Sequence, residues 1–429
     1  MTAEIAILNR MGVALAADSA VTIGSNLTQK VYNSANKLFS LSKQHPVGIM
    51  VYGSADFMGV PWETIIKVYR KELGDKKFDT LSEYCESFFS YLKHSEQLIP
   101  QYAEDSQVIK VFNSYLNPIL NEMDEEIRQS YPDELPSDEE VLAILKGKID
   151  SLISDFTEVP FLKGFSNEFL EEFKCSHKKN ITSVVTQNVF IELDEAILES
   201  FLELSALMFS KEIISDKMSG VVISGYGEKE IFPSIFEYET EGMFCGLIKM
   251  SLEYHIQISS QINEEQTTAT IRAFAQKEMV ETFMHGIDPR MERAIHDVLE
   301  VSLEDKYPSL VAETLGIDLS EEQKEKLRIL GNIFNEEFYR EINRIKRGNF
   351  IYPIVDTVDL LPKEELAAMA EALVNLTSFK RKVSTDAETV GGPIDVAVIS
   401  KGDGFVWIKR KHYFKPELNY HFFQNNIRG

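Results

Sequence analysis

The stretch Met1-Thr2-Ala3-Glu4-Ile5-Ala6-Ile7, with Gly12-Val13-Ala14-Leu15-Ala16-Ala17-Asp18-Ser19 close behind it, decides how this chain is read. Ile5 and Ile7 alternate with Ala6 and Leu8, residues 9–12 read as a turn, and Val13 to Ala17 form a second apolar run. That pattern predicts a hairpin ending at Asp18. Thr2 directly follows the initiator Met. Once Met1 is trimmed, a threonine at this place carries a nucleophilic hydroxyl and its own base, the free α-amino group, in one residue. An unperturbed α-amino group titrates near ~8, so a small downward shift makes it a usable base at neutral pH. A nearby lysine ammonium favours the neutral amine by like-charge repulsion.

Working outward, Tyr32-Asn33-Ser34-Ala35-Asn36-Lys37-Leu38-Phe39-Ser40-Leu41 places Lys37 at the mouth of another strand. Gly48-Ile49-Met50-Val51-Tyr52-Gly53-Ser54-Ala55-Asp56 reads as a short apolar strand that breaks at small residues into a helix beginning near Ala55. This order (threonine, strand, Gly-Val-Ala-Leu-Ala-Ala-Asp-Ser, Asn-Lys, apolar strand, Gly-Ser-Ala-Asp, helix) resembles the proteasome β-subunits and their bacterial HslV-type relatives, which are N-terminal nucleophile hydrolases. The resemblance implies Thr2 as nucleophile, Asp18 as its acidic partner and Lys37 as the lysine that tunes the amine. It implies that backbone N–H groups at Tyr52 and Gly53 stabilise the oxyanion. Tyr52 departs from the family, which usually has glycine there.

The chain has 429 residues, room for two or three average domains or for one domain with large insertions. Its net charge of −24 argues against a general nucleic-acid binder. No apolar run approaches the ~18 residues of a membrane span, and the start lacks the basic flank and apolar core of a signal segment. Cys85, Cys175 and Cys245 lie far apart without a C-x-x-C pair. This suggests a reducing compartment, the cytoplasm, and no zinc site. The histidines form no H-E-x-x-H or other metal spacing, so no metal and no cofactor are expected.

From about Asp79 to Asp216 the apolar spacing is helical almost throughout, with Thr80 capping one helix and the loop Tyr131 to Asp138 capping the next, Glu139 to Ile153. Strands resume at Ser219 to Gly225 and Phe232 to Tyr238. Gly225 and Gly227 have a weak phosphate-loop reading that lacks a third glycine and a following helix. Strands are expected over Leu247 to Ser259 and Thr267 to Ala275, and a helix over Lys277 to His285. Met291 to about Phe350 reads as helical again, holding Leu299, Leu327, Leu330, Ile333, Phe334 and Phe338. An amphipathic helix over 362–382, with Pro362 at its start, leads into Ser384-Thr385-Asp386-Ala387-Glu388-Thr389-Val390-Gly391-Gly392-Pro393 and a strand.

The family resemblance covers roughly half the chain, in four separated blocks. It implies Asp386 as a further acidic residue and Thr389 as the hydroxyl that orders the free amine. Val390 is one residue extra before the glycine pair, so Glu388 competes for either role. Where the family has a serine turn, this chain has Ala275-Gln276-Lys277, and Gln276 is the candidate substitute.

The expected fold is α+β, a four-layer α/β/β/α sandwich of two mostly antiparallel sheets with two helical insertions. The expected division is a core over 1–75, 218–290 and 362–429, with insertions over 76–217 and 291–361. The expected reaction is hydrolysis of an amide, principally a peptide bond, through an acyl-enzyme on Thr2. Expected partners are a peptide or protein substrate, with a homo-oligomer and a regulatory or ATPase partner left open, and neither nucleic acid nor membrane. The alternative is a catalytically silent protein of the same fold that binds a partner through its helical insertions.

Overall fold

The computed structural model describes residues 3–23, 30–95, 100, 102–132, 136–261, 267–384 and 390–421. Two compact units emerge. One joins the N-terminal residues through Ala35 to Ile258–Val398 and to Val406–Phe422. The other runs from Asn36 to Gln257 and adds Ile399–Phe405.

The strands, in chain order, are β1 (Ala3–Asn9), β2 (Gly12–Ala17), β3 (Val21–Ile23), β4 (Lys30–Tyr32), β5 (Leu38–Ser40), β6 (Val47–Gly53), β7 (Asp56–Phe57) and β8 (Val60–Pro61). They continue as β9 (Ser219–Gly225), β10 (Ser234–Phe244), β11 (Leu247–Gln257), β12 (Ala269–Ala275), β13 (Asp395–Ser400) and β14 (Gly404–Lys409). The helices are α1 (Trp62–Leu73), α2 (Leu81–His94), α3 (Tyr102–Ser130), α4 (Asp138–Glu158), α5 (Asn167–Asn188) and α6 (Glu195–Ser210). After β12 come α7 (Glu278–His285), α8 (Pro289–Val301), α9 (Tyr307–Leu315), α10 (Glu321–Lys346), α11 (Tyr352–Asp359) and α12 (Lys363–Val383).

In the first unit the sheet order is β12-β1-β2-β13-β14. The β1–β2 hairpin turns at Arg10-Met11, with Asn9 opposite Gly12. Asn9 shapes the turn, because its Oδ1 accepts from the Met11 and Gly12 N–H groups. Its Nδ2 donates to Val358 O at 2.8 Å and Leu361 O at 2.9 Å, tying the turn to the end of α11. β1 pairs with β12 antiparallel from Ala3↔Ala275 to Asn9↔Ala269. Ile5, Ile7, Val396 and Val398 form a core with Leu366, Ala370 and Val374 of α12. The apolar stripe of that helix explains its place, since burying it removes most of its hydrocarbon from water.

The second unit is built on the sheet β11-β10-β9-β6-β5. Ile49 and Val51 of β6 and Val221 and Ile223 of β9 pack with Trp62, Ile65 and Ile66 of α1 and with Tyr84 and Phe88 of α2. A capping box starts α2, Thr80 accepting from Glu83 N while Glu83 accepts from Thr80 N. The expected helix from Ala55 starts later, at Trp62. Met58 and Gly59 both have positive φ (52° and 83°) in a tight turn between β7 and β8, which a helix cannot include. The Gly225 and Gly227 pair serves close packing. A Cβ on Gly225 would lie 2.0 Å from Pro46 O, and one on Gly227 would lie 2.3 Å from Asp79 O.

Helices α3 to α6 make a further core of this unit, in which Phe173, Phe201 and Phe209 meet Phe244 of β10. At its edge lies a fully buried ion pair, Lys249 Nζ to Glu241 Oε2 at 2.5 Å. The ammonium also donates to Tyr115 Oη at 2.7 Å and to Met208 O at 2.6 Å. Glu241 accepts from Tyr115 Oη at 2.7 Å and from Ser215 N at 2.7 Å. Burial pulls the Lys249 ammonium below its ordinary pKa, and Glu241 opposes that shift. The pair fixes α3, α6 and the Ser215 turn to the β10–β11 hairpin.

The later helical run keeps much of its apolar surface open. α8 has no buried residue, and Leu330, Ile333 and Phe334 of α10 are about half exposed. Helix α10 packs on α8 and α9 but leaves this apolar stripe partly open. No helix among the described residues is long and apolar enough to cross a membrane.

Removing one member of the buried pair leaves the other charge uncompensated, at a cost of roughly 3–5 kcal/mol. Lys249→Met should therefore lower the urea midpoint sharply, and adding Glu241→Leu should recover most of the loss. An unchanged midpoint in the single variant would contradict this account.

Candidate functional site

Of the residues singled out by sequence, Asp18 has the most defined surroundings. It follows β2 and is almost fully buried. One carboxylate oxygen accepts from Ala3 N at 3.1 Å, the amide of the residue after Thr2. The other accepts from Ala20 N at 3.1 Å and Gly391 N at 2.9 Å. Ser19 extends the junction: its N–H donates to Gly391 O at 3.1 Å and its hydroxyl to Pro393 O. Gly392 needs its glycine, since φ is +78° and a Cβ would lie 2.7 Å from Asn33 Cβ. Thus Asp18 fastens the start of β1 to the segment that enters β13.

Lys37 belongs to the second unit, just ahead of β5, and is 5% exposed. Its carbonyl accepts from Val51 N at 2.9 Å, which sets it beside the end of β6. Tyr52 and Gly53 close that strand opposite Gly220 and Ser219. The Tyr52 ring lies over Gly220, where a Cβ would come within 2.0 Å of it. Its hydroxyl donates to Glu237 Oε1 at 2.7 Å and also lies 3.2 Å from Glu239 Oε1. Burial, then the two carboxylates, push this phenol well above its ordinary pKa, so it stays a donor. Tyr52 therefore has a packing reason to replace glycine. Gly53 keeps the positive φ (+76°), and a Cβ there would strike Met218 O at 2.4 Å.

Gln276 follows β12 after Ala275, which has φ of +61°. It is buried, and its Oε1 accepts from Arg381 Nε at 2.7 Å. Arg381 also faces Glu278 at 3.7 Å. Sequence reading missed Arg381, which stands in a Lys-Arg-Lys run that looks like ordinary charge in the last turn of α12. It equally missed Glu237 and Glu239 as partners of Tyr52, because alternation along a strand gives no sign of which residue lies across the sheet. Thr2, Asp386 and Thr389, with Glu388, lie outside the described residues.

No family model matches the chain, and no curated protein matches it. Among solved structures it aligns with Anbu (ancestral beta-subunit) from Yersinia bercovieri at 8% identity and a TM-score of 0.28, covering 99% of this chain and 95% of that one. It also aligns with the helical assembly of the Anbu complex from Pseudomonas aeruginosa at 8% identity and a TM-score of 0.27, covering 99% and 94%. These findings correct the assignment to proteasome β-subunits and HslV-type relatives. The matched structures are Anbu proteins, no family model supports the assignment, and a short order of motifs spread over half the chain was too little to define a family. What stands is a mixed α+β fold with antiparallel sheets.

Asp18→Asn tests the junction. An amide keeps the shape but presents an N–H₂ either to Ala3 N or to the Ala20 and Gly391 N–H pair, a loss of about 1–3 kcal/mol. Hydrogen exchange at Ala3, Ala20 and Gly391 should speed up while the β9–β10 amides keep their protection. Unchanged exchange at all three amides would show that the carboxylate does not hold the junction.

Proposed function

We propose that this chain is a threonine-type N-terminal nucleophile hydrolase that cleaves amide bonds, with peptides as its principal substrate. In this reading Met1 is removed, Thr2 Oγ1 attacks the substrate carbonyl, and the Thr2 amine takes the proton. The carbonyl oxygen becomes an oxyanion held by backbone N–H groups near Gly53, and the leaving amine collects the proton from the Thr2 amine. Water then attacks the acyl-enzyme and releases the acid. Lys37 contributes the positive charge that keeps the amine neutral, and Asp386 and Thr389 order it. Gln276, held by Arg381, is a positioning residue beside the end of β12. The reading carries with it the four-layer sandwich and a place in the reducing cytoplasm.

The observation that supports this most is the Asp18 carboxylate. It grips the amide directly after Thr2 and the amide of Gly391, two residues beyond Thr389. A nucleophile at a chain start needs its neighbouring peptide held, because a misplacement of about 1 Å can cost about 10²-fold in rate. Further support comes from Lys37, a nearly buried cation at the strand that ends in Gly53.

A second reading, a silent scaffold, draws on the exposed Leu330, Ile333 and Phe334 of α10. Apolar clusters of this kind mark interaction surfaces. The two readings part at the N-terminus, since only the enzyme needs a free Thr2 amine.

Intact-protein mass spectrometry of the natively expressed chain should show Met1 removed. A threonine-directed electrophile should then label Thr2. Lys37→Ala should slow labelling about 10²- to 10⁴-fold with an unchanged circular-dichroism melt, the usual loss for one base or oxyanion element. Equal labelling in Lys37→Ala would remove the lysine from the mechanism. Absence of labelling in a chain that begins at Thr2 would favour the scaffold.

A further inference from the structure

We propose that Glu104, His177 and Cys245 form a binding site for one borderline-soft divalent cation of the zinc type. The three residues come from three elements of the second unit, the first turn of α3, the middle of α5 and the turn between β10 and β11. Sequence spacing gave no hint of them, since each stands alone in its own segment. The fold brings one ligand atom from each within 4.8 Å of the others.

The donor set is a thiolate, an imidazole and a carboxylate, which suits zinc and disfavours magnesium or calcium, whose sites are built from oxygen. Tetrahedral zinc with ligands at about 2.0–2.3 Å sets its donors about 3.3–3.8 Å apart. Small side-chain rotations close the remaining gap. Three protein ligands leave a fourth position for water or a further group. The His177 side chain is 5% exposed and the Glu104 side chain 26%, so the site sits at the edge of the core with an approach from solvent.

Two further observations point the same way. Cys245 is a non-glycine residue in the left-handed region, with φ of +46°, followed by Gly246 at +72°. A two-residue hairpin turn of this kind ordinarily takes Asn or Asp at the first place, where a short polar side chain suits the left-handed backbone. Cysteine there has no such local recompense, and backbone strain of this sort persists where a side chain must be aimed.

The second observation is the setting of the imidazole. Nε2 lies 3.0 Å from Glu104 Oε1, and Nδ1 lies 3.5 Å from Asp105 Oδ1. Asn180 Nδ2 donates to that same Asp105 oxygen at 2.6 Å and stands 3.4 Å from Nδ1. The imidazole thus stands between two carboxylates, Glu104 on the Nε2 side and Asp105 on the Nδ1 side, an arrangement in which Nε2 and Glu104 can share a cation while Asp105 backs the ring. Glu104 Oε1 also accepts from Cys245 N at 2.6 Å, which holds the turn against α3 before any ion arrives. On binding, the Cys245 S–H proton is released to solvent and a metal–sulfur bond forms, with no change of oxidation state. The bound ion would clasp α3, α5 and the β10–β11 hairpin to one another, a role independent of hydrolysis at Thr2.

The test uses the untagged full-length chain, stripped of metal and kept reduced. Cobalt(II) serves as the spectroscopic probe, and zinc competition against a chromophoric chelator measures affinity. One equivalent of cobalt should give a sulfur-to-metal charge-transfer band in the near ultraviolet and tetrahedral d–d bands, displaced by zinc. Zinc should raise the thermal midpoint, and excess magnesium or calcium should not compete. Cys245→Ser should abolish the charge-transfer band. His177→Gln and Glu104→Gln should each weaken zinc about 10-fold or more, whereas Cys175→Ser, at an exposed cysteine, should change nothing. The wild-type spectrum decides the matter even where a variant fails to fold. Failure of the wild-type chain to take up one zinc, a band that survives Cys245→Ser in folded protein, or equal competition by magnesium would overturn the proposal.

Discussion

The second unit depends on a charge pair that water does not reach. Lys249 and Glu241 sit at 0% side-chain exposure, and the structure tolerates them because every direction around them is answered. Tyr115 from α3 and the Met208 carbonyl from α6 accept from the ammonium, and the Ser215 amide donates to the carboxylate. Apolar packing among the phenylalanines supplies most of the attraction, but it is non-directional and would accept several placements of the helices. The buried ions accept only one, since a shift of an ångström strands a charge in a dry interior. The phenylalanine core therefore drives docking, and the ion pair selects its register.

A comparable economy holds at Asp18 in the first unit. A single carboxylate satisfies Ala3, Ala20 and Gly391, three amides from separated parts of the chain. Nothing about such a carboxylate is catalytic in itself. Its consequence for chemistry is positional, since it fixes the peptide after Thr2 whatever reaction occurs there. The proposed hydrolysis rests on this as a scaffold. In the second unit, Tyr52 is held so that Gly53 keeps its positive φ. The phenol is accommodated by Gly220 beneath its ring and by two carboxylates at its tip.

The cation site proposed for Glu104, His177 and Cys245 and the ion pair around Lys249 touch the same helix, α3. Gln107, one turn on from Glu104, donates to Glu241 O at 2.5 Å, so both clusters bear on the placement of β10. A helical module held at two polar points can be rigid even though much of its outer surface is acidic and solvated.

What the sequence determined alone was local. Alternation around the turn at Arg10-Met11 gave the β1–β2 hairpin, Thr80 and the loop ending at Asp138 gave two helix starts, and the apolar stripe of α12 gave its length and inward face. These signals act over a few residues, where periodicity and capping have fixed geometry. Sequence misjudged Ala55 to Pro61, where left-handed backbone at Met58 breaks a helical pattern, and it left open that Leu330 and Phe334 stand about half exposed. Tertiary structure decided which strand lies beside β1, which residues face Tyr52 and Lys249, and that Cys245 meets His177. Those pairings depend on which faces come together and on desolvation at the contact, and a buried charge or thiol acquires its chemistry from neighbours far away along the chain.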